Sequence, residues 1–250
     1  MTIEVHNPAF TATSDEISRD RERMRGAPVE LERPVVVLSG YRSPSGASSG
    51  LARQIRKLTG AEHDQVVPIA YAFAGTIETP AGKVIDRVEQ NFPSDDPVWT
   101  TEVDVVAISM GGLVARLAAA EPELRGEPDG KRLKIGTLYT LASPHRGVVL
   151  ADWVAVDSAS RDMVEGSEFL STLDAAFVSA GYELVPYAVL RDGWVGATRA
   201  APVGQEPIWV PGRLMMSHHM VSMNRRIQTD LARRLHGEEP MGRPSQPPRN

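Results

Sequence analysis

The sequence contains no cysteine. This excludes disulfide bonds, thiolate nucleophiles and cysteine-based zinc or iron–sulfur sites. It also lacks a basic excess, because 27 Lys and Arg residues stand against 32 Asp and Glu residues, giving a net charge of −5. A chain with this balance offers no basic surface to a phosphate backbone, so nucleic acid is not an expected partner.

Long apolar runs are absent as well. The longest stretch without Asp, Glu, Lys or Arg covers residues 65–77, which is shorter than the roughly 18 residues that a membrane-spanning helix needs. Residues 1–30 also lack the apolar core of a secretory signal. The sequence therefore predicts no integral membrane segment and a cytoplasmic location.

What the chain does contain is ordinary globular composition, with 42% hydrophobic and 24% charged residues over 250 positions. Strand-like and helix-like segments alternate along it. We predict strands at 35–38, 65–73, 103–108, 133–141, 184–190 and 208–210, and helices at 51–58, 83–92, 111–120 and 224–235. This alternation predicts an α/β domain with a mostly parallel sheet and helices on both faces.

Three segments depart from the alternation. Residues 1–33 are polar and predict an arm with one short helix at 14–25, while residues 237–250 contain four prolines and predict a disordered tail. Between them lies the main domain, residues 34–236. Within it, residues 152–181 have helical texture and no strand, and we interpret them as an inserted lid.

The most informative segment is VDVVAISMGGLVAR, residues 103–116. A buried strand ends at Ser109, and two glycines then open a helix, which is the context of a nucleophile elbow of the form G-x-S-x-G. Ala107 takes the place of the first glycine and is also small. The spacing predicts Ser109 as a nucleophile beside the free N–H groups of a helix N-terminus.

Residues 107–116 resemble the serine lipase and esterase branch of the α/β-hydrolase superfamily. The segments PVVVLSGY (34–41) and TLASPHRG (140–147) are similar to two further family motifs, although Ser39 stands where the family usually has histidine. The resemblance implies the α/β-hydrolase fold and no cofactor. No H-E-x-x-H motif occurs in the sequence, so no metal site is expected. The resemblance also implies that the backbone N–H groups of Tyr41 and Met110 form the oxyanion hole.

In this fold the catalytic acid follows the nucleophile in the chain, and the histidine base follows the acid. Asp192 comes directly after an apolar run, in a pattern similar to the family's acid-bearing turn, and we predict it as the acid. Asp157 and Asp174 are the rivals. Both lie in the inserted segment rather than at a strand end, which makes them weaker candidates.

The base is predicted in the loop between the last strand and the last helix, which holds His218 and His219. We prefer His218, because the apolar residues that follow it have the spacing seen in similar lipases. His236 ends the last helix, where it is expected to interact with the helix dipole. His145 precedes the acid, so the resemblance implies a structural or pocket-lining role.

These residues predict a serine carboxylic-ester hydrolase that acts on a small-molecule or lipid ester through an acyl-enzyme. An apolar roof over the acyl chain is expected from four side chains of the inserted segment: Trp153, Met163, Phe169 and Phe177. Acyl transfer and thioester cleavage use the same triad and stay open. So does a catalytically silent binding protein, because Ser39 and Ala107 depart from the family pattern.

Overall fold

The structure, a computed structural model, describes residues 7–41, 46–71, 75–148, 157–212 and 216–248. The strands are β1 (Val35–Leu38), β2 (Val66–Ile69), β3 (Val103–Ile108), β4 (Ile135–Leu141), β5 (Glu183–Val189) and β6 (Ile208–Val210). The helices are α1 (Ser14–Gly26), α2 (Gly46–Thr59), α3 (Glu78–Asn91), α4 (Gly111–Ala119), α5 (Ser158–Asp162), α6 (Glu168–Val178) and α7 (Arg225–Leu235). Within the described ranges, no helix combines the length and apolarity needed to cross a bilayer.

The six strands form one sheet in the order β2-β1-β3-β4-β5-β6, and each neighbouring pair is parallel. The predicted α/β class is confirmed. Because all the strands run in the same direction, their carboxyl ends meet at one edge of the sheet. The register places Leu38 beside Ala107 and Ala107 beside Thr140, so the loops that follow β1, β3 and β4 leave the sheet side by side.

Both faces of the sheet are covered, which explains the continuous apolar runs in the strands. In β1, Val36 and Leu38 pack into the core on one face, while Val35 and Val37 pack into the core on the other. Helices α3, α4 and α6 contribute to the first core. Helices α1, α2 and α7 contribute to the second.

Helix α1 of the predicted N-terminal arm packs on helices α2 and α7. Helix α1 begins with a capping box between Thr13 and Glu16, and its Ile17 side chain is buried. Arg21 is buried too, and its guanidinium donates hydrogen bonds of 3.2 Å to Thr229 of α7 and to Gln54 of α2. The polarity of this segment therefore reflects contacts with two other helices rather than a free arm.

Several residues of the predicted C-terminal tail, within the described range up to 248, contact the body of the protein. Gly242 forms an isolated bridge with Phe10, and its N–H donates to the Asp230 carboxylate at 2.6 Å. Further along, Ser245 donates its N–H to the carbonyl of Pro207 at 3.1 Å. Asp230 is fully buried, and a buried carboxylate needs hydrogen-bond donors. The Gly242 N–H supplies one of these donors, which fixes this part of the segment against α7.

Residues 157–181 of the predicted lid lie in the connection between β4 and β5. Helix α6 packs on α4 and leads back to the start of β5, so its last turn lies at the edge of the sheet opposite to Ser109. Phe177 contacts Tyr182 there, with ring centroids 5.7 Å apart, and Met163 is buried in the core. These two residues pack against the body of the protein, which corrects their assignment to a pocket roof.

Candidate active site

Ser109 lies on a strained turn between β3 and α4. Its φ angle is +52°, in the left-handed region that L-residues avoid. Its N–H donates to the carbonyl of Leu141 at 2.9 Å. A Cβ added to Gly111 would approach the carbonyl oxygen of Ser39 to 2.7 Å, so the elbow needs a glycine there for close approach.

Strained backbone recurs at the carboxyl ends of the strands. Among the described residues, the non-glycine residues with positive φ are Ser109, Ala142 at 50° and Arg191 at 60°. They follow β3, β4 and β5, three neighbouring strands. Strained backbone of this kind persists only where surrounding contacts enforce it, and it is concentrated at functional sites.

The structure brings Ser109, His218 and Asp192 together, although they come from three separate loops. His218 Nε2 lies 2.9 Å from Ser109 Oγ, and His218 Nδ1 lies 2.8 Å from Asp192 Oδ2. An ionised carboxylate can only accept a hydrogen bond, so Nδ1 carries the proton. Nε2 is then free to accept the hydroxyl proton of Ser109.

Asp192 is held as an anion by its surroundings. Burial acts to raise the pKa of its carboxyl, but the hydrogen bond from His218 and the backbone N–H donors outweigh it, so the pKa lies below its usual value. The backbone donors belong to Trp194 and Val195, at 2.9 and 3.0 Å from Oδ1. Both carboxylate oxygens therefore have partners, which fixes the orientation of the imidazole.

The rival histidines are placed elsewhere. His219 is exposed, and its ring meets Trp194 edge-on at 5.9 Å. His145 is fully buried, with Nδ1 at 3.2 Å from the Arg116 guanidinium and Nε2 at 3.0 Å from the Thr140 hydroxyl. His236 lies 3.0 Å from the carbonyl of Leu58, which ties α7 to the end of α2.

The rival carboxylates also have other partners. Asp174 forms a 2.7 Å ion pair with Arg116, which joins α6 to the nucleophile helix. Asp157 caps α5 by accepting from the N–H of Ser160. Its second oxygen accepts a hydrogen bond from the Tyr41 hydroxyl at 2.6 Å.

The residues predicted to supply the oxyanion donors belong to the two segments next to Ser109. Met110 is the N-cap residue of α4, and Tyr41 follows Gly40, whose added Cβ would lie 3.1 Å from Ser109 Cβ. The loop after β1 therefore runs directly beside the nucleophile. Ser39, which replaces the usual histidine of the motif, is completely buried, and its carbonyl accepts a hydrogen bond from Tyr71.

Tyr71 and Trp194 belong to this site and were not singled out from the sequence. Burial raises the pKa of the Tyr71 phenol, which keeps it protonated as a donor to the loop after β1. The Trp194 indole stacks near His218, with ring centroids 6.1 Å apart. Their positions carry a signal, because Tyr71 lies near the end of the second predicted strand and Trp194 lies two residues beyond the predicted acid.

Of the predicted substrate-binding residues, Trp153 lies outside the described residues. Phe169 is partly buried against the core on the α4 side of the sheet. Its place in the first turn of α6 puts it nearer to the carboxyl edge of the strands than Phe177 is. A role for Phe169 in substrate binding stays a prediction.

Comparison with known proteins agrees with the geometry. The protein family described as "Putative serine esterase (DUF676)" matches residues 73–172, which include Ser109. No curated protein matches the sequence.

Two solved structures are similar at the level of the fold. A gene product from Listeria innocua has a TM-score of 0.55 at 10% identity, covering 83% of this chain and 95% of its own. A protein from a study of two metagenome-derived lipolytic enzymes, LipS and LipT, has a TM-score of 0.54 at 10% identity, covering 84% and 96%.

The structural likeness and the family match agree with each other. The chain has the α/β-hydrolase fold, and the family match over residues 73–172 agrees with its resemblance to the serine lipase and esterase branch. The family match extends over the nucleophile elbow and supports an esterase- or lipase-like hydrolase.

Proposed function

We propose that the protein is a serine carboxylic-ester hydrolase in which Ser109, His218 and Asp192 form the catalytic triad. The observation that carries the proposal is the unbroken hydrogen-bond chain from Ser109 Oγ through the imidazole to Asp192, with steps of 2.9 and 2.8 Å. Each group has the partner that its role requires, because the nucleophile contacts the base and the base contacts an anion.

In the proposed reaction, Ser109 Oγ attacks the ester carbonyl while its proton moves to His218 Nε2. The imidazolium is stabilised by Asp192 and then gives the proton to the leaving alcohol, which leaves an acyl-enzyme. Water, activated by the same histidine, attacks the acyl group and releases the acid. Serine and histidine return to their starting protonation states.

We assign the stabilisation of the negative charge on the carbonyl oxygen to the backbone N–H groups of Tyr41 and Met110. One donor of this kind is worth about 3 kcal/mol of transition-state stabilisation. The Met110 N–H stands at the start of α4, where the helix dipole adds positive potential. The approach of Gly40 to Ser109 supports the placement of the Tyr41 N–H on the other side of the oxygen.

For the substrate we propose a short- to medium-chain acyl ester, either a soluble small molecule or a lipid. The net charge of −5 gives no attraction toward an anionic lipid surface. Each buried CH₂ group contributes at most about 0.8 kcal/mol, so an apolar pocket changes kcat/KM only a few-fold for each added carbon. We expect kcat/KM to rise from acetyl to about hexanoyl or octanoyl and then to fall.

Initial rates on p-nitrophenyl esters of increasing chain length test both parts of the proposal. Wild-type protein is expected to hydrolyse them, and Ser109→Ala, which removes one hydroxyl from an intact fold, is expected to lose the activity. Activity of Ser109→Ala within tenfold of wild type would contradict the mechanism. A flat chain-length profile would contradict the acyl pocket, and faster cleavage of matched thioesters or transfer to added alcohols would favour the related reactions.

A further inference from the structure

One contact links the β4–β5 connection to the loop beside Ser109. The Tyr41 hydroxyl donates a 2.6 Å hydrogen bond to Asp157 Oδ2. These residues are 116 positions apart in the chain. Tyr41 carries a proposed oxyanion donor, while Asp157 precedes α5.

Asp157 uses its two carboxylate oxygens for different purposes. Oδ1 accepts from the Ser160 N–H at 2.9 Å and caps α5, while Oδ2 receives the Tyr41 hydroxyl. The same helix is tied to the body of the protein a second time, because the Ala159 N–H donates to the carbonyl of Gly75 at 2.9 Å. Asp157 is therefore a fixed acceptor rather than a freely rotating side chain.

Tyr41 needs a fixed partner because of the residue before it. Gly40 lies so close to Ser109 that an added Cβ would come within 3.1 Å of the serine Cβ, so a side chain is disfavoured at this position. Glycine, however, leaves the adjoining peptide free to take several orientations. The peptide between Gly40 and Tyr41 is the one that carries the Tyr41 N–H, and its direction decides whether that group points at the oxyanion.

We propose that Asp157 is a positioning residue that holds the Tyr41 N–H in the oxyanion hole through the tyrosine hydroxyl. The inference rests on the proposed function and adds a specific role for the β4–β5 connection. Asp157 touches no reacting atom. Its expected effect is on the transition state, because the oxyanion forms only there, so its loss lowers kcat with little change in KM.

The test uses ester hydrolysis by the full chain with two variants that break the contact from opposite sides. Tyr41→Phe removes the hydroxyl and keeps the ring. Asp157→Ser keeps an N-cap oxygen for α5 but is too short to reach Tyr41. Because a misplaced catalytic group costs up to about a hundredfold in rate, we expect each variant to lower kcat about tenfold with KM within about twofold of wild type.

Two further measurements separate positioning from a general loosening of the fold. The double variant should be no slower than either single variant, because both remove the same contact. A trifluoromethyl ketone, whose serine adduct places an oxyanion in the hole, should bind about tenfold more weakly to both single variants. The matched control is Ser160→Ala, which weakens the same helix cap without touching Tyr41 or the Asp157 carboxylate, and it should retain wild-type kcat.

Unchanged kcat in Tyr41→Phe overturns the inference while leaving the esterase proposal intact. Multiplicative losses in the double variant, or an equal loss in Ser160→Ala, also overturn it, because either result means that α5 acts without the hydrogen bond. A folded wild-type protein that hydrolyses no ester overturns the proposed function and this inference together.

Discussion

His218 and His145 lie in two regions of the molecule that are alike in hydrogen bonding and differ in charge. Each imidazole has hydrogen-bond partners on both ring nitrogens, and each has a hydroxyl as one of them. The other partner is the carboxylate of Asp192 for His218 and the guanidinium of Arg116 for His145.

The difference decides which histidine can accept a proton. A carboxylate stabilises an imidazolium, whereas a guanidinium repels one. His145 is completely buried, and burial, reinforced by Arg116 and Arg146, lowers the pKa of its imidazole well below the usual value. The guanidinium can only donate, so Nδ1 of His145 accepts and Nε2 carries the proton. His145 is therefore suited to a structural role in joining α4 to the strand end.

The largest expected effect comes from removing the proposed base. His218→Ala should lower kcat by roughly four to six orders of magnitude, because a triad histidine acts together with its serine. His219→Ala is the matched control, and its exposed side chain predicts activity within a few-fold of wild type. Steady-state ester hydrolysis by both variants shows which of the two histidines is the base. An inactive His219→Ala beside an active His218→Ala would assign the base to His219.

The next effect comes from the acid. Asp192→Asn keeps the shape of the side chain but favours the wrong imidazole tautomer, so kcat should fall by about 10⁴. Asp174→Asn removes a carboxylate that pairs with Arg116, the residue that also contacts His145. This variant should keep kcat within a few-fold of wild type. The two kcat values are measured on the same ester. A large loss in Asp174→Asn with little loss in Asp192→Asn would show that the acid is Asp174, in the β4–β5 connection.

Changing His145 should affect stability rather than chemistry. His145→Gln removes the imidazole that bridges Arg116 and Thr140, and a buried polar group left without its partner costs about 1–3 kcal/mol. Urea unfolding is expected to show this loss in the free energy of unfolding, while the folded variant retains its kcat. A drop in kcat of a thousandfold or more, with unchanged stability, would assign His145 to catalysis.

The smallest effect is on the pH dependence of stability. Below about pH 6.5, the pKa of an unperturbed histidine, the unfolded chain binds a proton at His145 that the folded protein does not bind. The free energy of unfolding therefore falls as the pH is lowered, by at most about 1.4 kcal/mol per pH unit from this group. Urea unfolding at pH 7.5, 6 and 5 should give a shallower fall for His145→Gln than for wild type, and equal slopes would contradict the assigned protonation state.

The sequence predicts the strand, turn and helix around Ser109 well, because neighbouring residues in the chain specify them. Strand β3 has the predicted bounds, and α4 begins at the predicted Gly111, since a buried strand, a strained serine and two close-packed glycines leave few alternatives. Strand β2 ends at Ile69, earlier than predicted, because its partner β1 ends at Leu38 in the paired register. The end of β2 is therefore set by the neighbouring strand and cannot be read from the sequence of β2 alone.

Features that depend on distant contacts were missed for the same reason. The Gly242 N–H donates to the buried carboxylate of Asp230, and the sequence around Gly242 does not indicate that partner. Apolar residues in a helix predict that one side is buried but not against which surface. The sequence therefore predicts a pocket roof at Phe177, whereas the side chain packs on Tyr182. The contact between Tyr41 and Asp157 likewise exists only once the sheet has formed.

Labelling with a fluorophosphonate probe tests the central claim most directly, because the probe reacts only with a serine that its surroundings have activated. Mass spectrometry of the labelled wild-type protein should find one adduct on the peptide that contains Ser109. Ser109→Ala should not be labelled, His218→Ala should react far more slowly, and His145→Gln should react at the wild-type rate. A folded wild-type protein that takes up no label, or takes it up at another serine, would contradict the account.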